Sequence, residues 1–274
     1  MKLTYHPKTA VDSSTLQKYK DFALELAALG GKAALPYFRS AYDLENKLQG
    51  IDFDPVTTAD KSAESVIRKA IESRFPSHGI LGEEQGFKGG DGLTWVIDPI
   101  DGTRAFINGM LHWGVLVALF DGETPLVGVM YQPFTDEFFV GDNTSAEYIR
   151  GSKSEVLTIR NCPTIRDAVL ASTGPQFFQS GDEQNGFARL EQQVKTLRYG
   201  GDCYLYCMLA MGQIDLVVEA GLNTYDIQAL IPIIKGAGGF VSTWGGDNPS
   251  MGGQIIAAGD ERVFELALSL LQGY

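Results

Sequence analysis

The stretch TWVIDPIDGTRAF, residues 94–106, constrains this chain more than any other. Its apolar opening reads as a short strand closed by Asp98, and Pro99 pre-sets the first bend of a turn. That turn would bring Asp101 round to the side of Asp98. Gly102, Thr103 and Arg104 then open what reads as the first turn of a helix, whose leading N–H groups lack intrahelical partners and attract anions. Two carboxylates beside an anion-accepting helix start would repel that anion. A divalent cation between them removes the contradiction, and Mg2+ suits an oxygen-only site next to a phosphate. The plainer alternative makes Asp98 and Asp101 turn and capping residues.

Composition narrows the chemistry. With 44% hydrophobic and 20% charged residues in 274, the chain has the apolar content for a large core in one or two domains. A net charge of −12 without a Lys/Arg-rich block argues against nucleic acid or an anionic membrane as partner. No apolar run reaches the length of a membrane span. The opening MKLTYHPKTAVDSSTLQKYKDF lacks a signal-peptide core, so a cytoplasmic location is the expectation. Cys162, Cys203 and Cys207 show no CxxC spacing, which disfavours a disulfide framework or a zinc site. Cys203 and Cys207 would share one helix face as packing residues. Three histidines leave little material for a His-centred site, and carboxylate chemistry is what remains.

Along the chain, apolar spacing predicts a helix over 13–39, bent or ended by Pro36, and a second over 60–75, ended by Pro76. GILGEE and TWVID read as strands. WGVLVALF, LVGVMYQ and EFFVGD follow as consecutive strands joined by the turn segments DGETP and PFTD, an antiparallel meander with helices to one side. Beyond about residue 142 the pattern changes. VLTIRN and AVLAST read as strands, EQNGFARLEQQVKTL and DCYLYCMLAMG as helices, IDLVVEA as a buried strand and TYDIQALIPIIKGAGG as one helix. FVSTW, GGQIIAAG and a terminal helix ERVFELALSLLQ complete an alternation typical of α/β architecture. The expected division is an α+β part over 1–145 and an α/β part over 146–274.

Other acids fall at strand ends and helix starts, where layered folds place their sites. Glu83 and Glu84 close the strand of GILGEEQG, and Asp60 in DPVTTADKSAE stands where a helix begins. Glu219 ends a buried strand and Asp226 opens a helix. Each has an ordinary reading alone, as a solvated or helix-start acid.

In their order, DPVTTAD, GEEQG, WVIDPIDGTRAF and YDIQALIPIIKGAGG resemble the four motifs of the inositol monophosphatase family, Mg2+-dependent, lithium-sensitive phosphomonoesterases. The resemblance runs from about Leu16 to Leu271 and implies a layered αβαβα sandwich, α+β in its first half and α/β in its second. It implies that Glu83, Asp98 and the backbone carbonyl of Ile100 hold a first Mg2+, and that Asp98, Asp101 and Asp226 hold a second. A third ion would sit near Glu83 through waters. Asp60 would hydrogen-bond Thr103, and this pair with Glu83 would orient and deprotonate the attacking water. The N–H groups of Gly102 and Thr103 would hold the phosphate. Homodimers are common in the family, so a dimer is expected.

The chain departs from the family pattern at Tyr225–Asp226, where Trp–Asp is usual, and at GAGG, residues 236–239, where Glu stands first. Gly201–Asp202–Cys203–Tyr204, and Arg104 after DGT, resemble the histidinol-phosphatase branch. Histidinol phosphate is cationic at its non-phosphate end near neutral pH, and Asp202 and Glu219 would hold that end by charge-assisted hydrogen bonds. Asp101 and Asp226 would also face the substrate. Alternatively Asp202 caps the helix that follows it, and Arg104 serves a second phosphate or a surface salt bridge. Tyr131, Gln176, Phe177 and Phe178 are candidates for a substrate wall or for core packing; His112 reads as packing. The preferred substrate is L-histidinol phosphate. Inositol 1-phosphate or a sugar phosphate comes second, and a catalytically inactive relative that binds phosphorylated ligands is the reading from another class.

Overall fold

The computed structural model describes residues 11–40, 44–46 and 55–273, with the backbone alone for 44–46 and 55–57. Residues 1–10, which open the stretch read for a leader, and Asp54 of DPVTTAD lie outside the described residues. Helix α1 (Ser13–Ala34) is capped by Asp12, whose carboxylate accepts the N–H groups of Ser14 and Thr15. Pro36 turns its end into a short 3-10 segment. Strands β1 (Leu44–Asn46) and β2 (Pro55–Thr57) pair antiparallel before α2 (Thr58–Arg74). There follow β3 (Gly79–Gly82), β4 (Gly86–Lys88), β5 (Thr94–Asp101), α3 (Thr103–Ile107), β6 (Gly114–Phe120), β7 (Pro125–Gln132), β8 (Glu137–Gly141), β9 (Ala146–Arg150) and β10 (Lys153–Val156). Strands β3 to β10 form one sheet in the order β10-β9-β8-β7-β6-β5-β3-β4. From β5 to β10 each strand pairs antiparallel with the next, which is the predicted meander continued by two further strands.

The second sheet has the order β12-β11-β13-β15-β14. It is built from β11 (Val169–Ser172), α4 (Asp182–Glu191), β12 (Thr196–Tyr199), α5 (Cys203–Ala210), β13 (Leu216–Leu222), α6 (Thr224–Ile227), α7 (Leu230–Gly236), β14 (Phe240–Thr243), β15 (Gly253–Ala258) and α8 (Glu261–Gln272). Its β12, β11 and β13 are parallel, and α4 and α5 supply the crossover connections that parallel strands need.

The two-residue period of the strands sorts side chains into layers. Trp95, Ile97, Val115, Val117 and Leu119 join the core under α1 and α2, whereas Val96, Leu116 and Ala118 join the core that contains α5 and α7. On the second sheet, Val217, Ile255 and Ala257 face that same middle core, and Leu216, Val218, Ile256 and Ala258 face α4 and α8. The result is an αβαβα sandwich, with helices on both faces of the first sheet. Among the described residues no helix is long and apolar enough to cross a membrane.

Three elements differ from expectation. VLTIRN is not a strand beyond Val156, because its N–H groups go to scattered partners: Leu157 to the Ala146 carbonyl and Ile159 to that of Ala237. The helix predicted through Leu197 stops at Glu191, and Thr196–Tyr199 is the edge strand β12. The single helix read from TYDIQALIPIIKGAGG is two, α6 and α7. Pro232 has no N–H to give the Gln228 carbonyl, so the helical ladder breaks there.

Candidate active site

Asp98, Asp101 and Asp226 converge at the mouth of the groove between the two sheets. The segment 98–101 is not the predicted turn: β5 continues through it with a register shift against β6, a bulge between Asp98 and Asp101. A bulge re-aims side chains that would otherwise alternate across the sheet. Asp98 is 2% exposed, and its Oδ1 accepts the Ile100 N–H at 3.1 Å. Gly102 ends the bulge at φ 80°, and a Cβ there would lie 2.5 Å from the His112 carbonyl oxygen, so only glycine fits. Asp226 reaches the same place from the start of α6, where its Oδ2 accepts the Asn223 N–H at 2.7 Å. One carboxylate oxygen from each of the three aspartates lies within 4.8 Å of the others.

Glu83 lines the same cavity of about 200 Å³, together with Asp98, Ile100, Asp101 and Asp226. Burial, then the charges of Glu83, Asp101 and Asp226, push the Asp98 carboxyl well up from the usual carboxylate range. Asp101 is raised by burial and by Asp202 and Asp226, against hydrogen bonds from Cys203. Asp226 is pushed up to about 7, mainly by burial. The acid donors are hard oxygens, and burial pushes the Cys203 thiol up, which keeps it protonated. Crowded carboxylates of this kind fit a hard divalent cation such as Mg2+, and the plain turn-and-cap reading does not account for their convergence.

The far wall comes from the second sheet. Cys203 N donates to Asp101 Oδ2 at 2.7 Å, so the first-sheet acid satisfies the start of α5. Asp202, at the cap position, makes no capping hydrogen bond and has φ 45°. Its expected capping role is therefore filled by another residue. It lines the cavity, pushed up to about 7 by burial and by Glu219 and drawn down by Arg104. Glu219 is 5% exposed. Its Oε1 accepts the Thr173 N–H at 3.0 Å and the Thr173 hydroxyl, and its Oε2 accepts the Tyr206 hydroxyl at 2.9 Å. Arg104 lies at the rim with its guanidinium over the Phe177 ring, 5.1 Å from the centroid.

Gly102, Thr103, Arg104, Asp202 and Glu219 thus line one cavity with the acids. Asp60 is buried in the first turn of α2 and stands outside the residues that line it. The Thr103 hydroxyl, which the resemblance pairs with Asp60, donates here to the Ile100 carbonyl at 3.0 Å. Of the proposed substrate wall only Phe177 reaches the cavity. Phe178 stacks on Phe187 in the outer core, and Tyr131 stacks on Phe138. Thr173, Tyr206 and Asn223 were missed. Tyr206 sits in an apolar helix whose pattern gives no hint that its hydroxyl is spoken for.

A profile of the inositol monophosphatase family matches residues 15–274. The chain is 35% identical over 274 residues to the bifunctional phosphatase IMPL2, chloroplastic, of Arabidopsis thaliana, covering 96% of this chain and 77% of that one. It is 32% identical over 250 residues to a histidinol-phosphatase of Chlorobaculum parvum, covering 86% and 94%. An inositol monophosphatase structure from Zymomonas mobilis superposes with a TM-score of 0.83 at 37% identity, covering 93% of this chain and 98% of that one. The acid-lined cavity and these matches agree: the chain belongs to the inositol monophosphatase family and is a phosphatase of that family.

Proposed function

We propose that the protein hydrolyses L-histidinol phosphate to L-histidinol and phosphate, with Mg2+ as cofactor. The observation that carries this reading is Asp202, a cavity-lining carboxylate relieved of helix capping by Asp101. An acid held there beside Glu219 suits a ligand with a cationic end, which histidinol phosphate has and inositol phosphate lacks. The relative from Chlorobaculum parvum bears the name histidinol-phosphatase, which supports it. A cytoplasmic setting, a place in histidine synthesis, lithium sensitivity and a homodimer belong to the same proposal.

Glu83, Asp98, the Ile100 carbonyl, Asp101 and Asp226 would hold two or three Mg2+ ions. Bound there, the cation neutralises a phosphate dianion and acidifies water. In the proposed division of labour, residues 1–145 carry the reacting centre. The N–H groups of Gly102 and Thr103 hold the phosphate, and Glu83 orients the attacking water and accepts its proton, supported by Thr103, whose hydroxyl donates to the Ile100 carbonyl, and by Asp60 from outside the cavity lining. Residues 146–274 supply Asp226 and the recognition wall, where Asp202 and Glu219 hold the amine end. Arg104, laid over Phe177, bounds the substrate at the rim.

One observation favours a second reading. Glu219 already accepts three hydrogen bonds from Thr173 and Tyr206, of about four that a carboxylate takes. A neutral polyol phosphate such as inositol 1-phosphate asks less of it. Phosphate release from the two esters side by side, with excess Mg2+, separates the readings. A kcat/KM ratio of about 10–100 for histidinol phosphate, the worth of one charge-assisted bond, and its collapse in Asp202→Ala are the expected results. Equal loss of both activities in Asp202→Ala would reduce Asp202 to a structural residue.

A further inference from the structure

Helix α2 places Asp60, Glu64 and Arg68 four residues apart, on one face. Glu64 is 0% exposed although it is a glutamate in the middle of a helix. Its carboxylate is inserted against the backbone that carries Glu83. Oε2 accepts the Glu84 N–H at 2.7 Å and Oε1 accepts the Gln85 N–H at 3.1 Å. Arg68 Nε donates to the same Oε1 at 2.6 Å, and Arg68 Nη2 donates to the Gly86 carbonyl. The N–H of Glu83 itself is held by the Ile97 carbonyl of β5 at 3.2 Å. Each residue from 83 to 86 thus has a backbone group fixed from outside the turn. Gly82 completes the fit, since a Cβ there would lie 2.1 Å from Glu64 Oε1.

Glu83 lines the cavity beside Asp98, with which it shares a side-chain hydrogen bond, so the direction of the turn that carries it sets where its carboxylate lies. We infer that Glu64 is a positioning residue: with Arg68 it clamps the 83–86 turn so that Glu83 faces Asp98 before any cation arrives. The inference rests on the reading of Glu83 as a metal ligand. Glu64 touches neither cation nor substrate. Its effect is on the affinity for the ion, through the fixed direction of one ligand, and outer partners of ligands cost about 10–100-fold in affinity when removed.

The test uses the full chain, with Mn2+ as probe read by electron paramagnetic resonance, and amide hydrogen exchange at Glu84 and Gln85 without metal. Glu64→Gln keeps one acceptor oxygen and the volume, but loses the charge that holds Arg68. It is expected to speed exchange at both amides and to weaken Mn2+ about tenfold, with kcat at saturating Mg2+ nearly retained. In a Glu83→Gln background the same change should leave Mn2+ affinity where Glu83→Gln alone put it. Unchanged exchange in Glu64→Gln overturns the clamp, and so does a further loss of Mn2+ affinity in the double variant. If Glu83→Gln alone binds Mn2+ normally while Glu64→Gln still frees the amides, the ligand reading of Glu83 fails and the clamp on the turn stands. Should Glu64→Gln fold poorly, Gly82→Ala, which forces the carboxylate aside, gives the same pair of readouts.

Discussion

On the first-sheet side of the cavity, Asp98 and Asp101 come from one strand and its bulge, and Asp98 is aligned by the N–H of Ile100 two residues on. On the second-sheet side, Glu219 is aligned by Thr173, 46 residues away in sequence, and by Tyr206, 13 residues away. The first wall is local and takes its geometry from a bulge, a glycine and a short helix. The second exists only when β11, α5 and β13 have already packed. The contrast suits their proposed tasks, a reacting centre on the first wall and ligand recognition on the second. The Cys203 N–H on Asp101, spanning 102 residues, ties the two walls together.

The largest expected effect comes from breaking the local wall. Asp98→Asn should lower phosphate release from every ester by more than about 100-fold, since even outer partners of metal ligands cost 10–100-fold. The measure is kcat/KM for cationic and neutral esters together with urea unfolding in the presence of a chelator. Unfolding should be no easier than in the natural chain, because Asp98 is a buried acid disfavoured as an anion. A loss confined to one ester would contradict the assignment of Asp98 to the common centre.

Tyr206→Phe breaks the other wall and is expected to act differently. It removes the only described hydrogen bond to Glu219 Oε2 and leaves a buried acceptor, at a cost of roughly 1–3 kcal/mol in urea unfolding. Selectivity between histidinol phosphate and inositol 1-phosphate should shift several-fold, an order set by the same hydrogen bond, while Mn2+ affinity stays unchanged. If stability is untouched and both esters suffer equally, the two walls are not separate devices.

The same contrast explains what could be read from the sequence. The meander from β6 to β8 was legible because short, continuous apolar runs, buried on both faces, end at turn residues. β12 was not, because Thr196–Tyr199 is a mostly exposed edge strand that continues the polar pattern of α4. Asp98, Asp101 and Asp226 stood out as candidates because acids at a strand end and a helix start are local features. Thr173, Tyr206 and Glu64 were silent, since their value lies in long-range hydrogen bonds, for which a single sequence has no periodic signature. The segment 98–101 reads as a turn in the sequence for the same reason: only pairing with β6 reveals that the strand continues through a bulge.

The smallest effect concerns an acid outside the cavity, and it sets the lower limit of the comparison. Asp142 lies in the turn between β8 and β9, where Oδ1 accepts from Thr144 and Ser145 and Oδ2 from Lys20 of α1 at 3.1 Å. Burial pushes this carboxyl up, but the Thr144 hydroxyl, the Ser145 N–H and Lys20 outweigh it and hold it at about 2. The cavity aspartates are pushed the other way, first by deeper burial and then by the neighbouring acids, which outweigh the N–H donors they also have. A folded pKa below the unfolded one gives stability that is fully present above about 4 and lost as pH falls toward 2. Asp142→Asn should therefore cost about 1 kcal/mol at pH 7, after allowance for solvent screening. The cost should fade in urea unfolding at pH 3 and shrink further below it. Turnover and Mn2+ affinity should not move. A cost independent of pH would mean that Asp142 acts through turn geometry alone, which an asparagine only partly reproduces, and the charge of Lys20 would carry none of it.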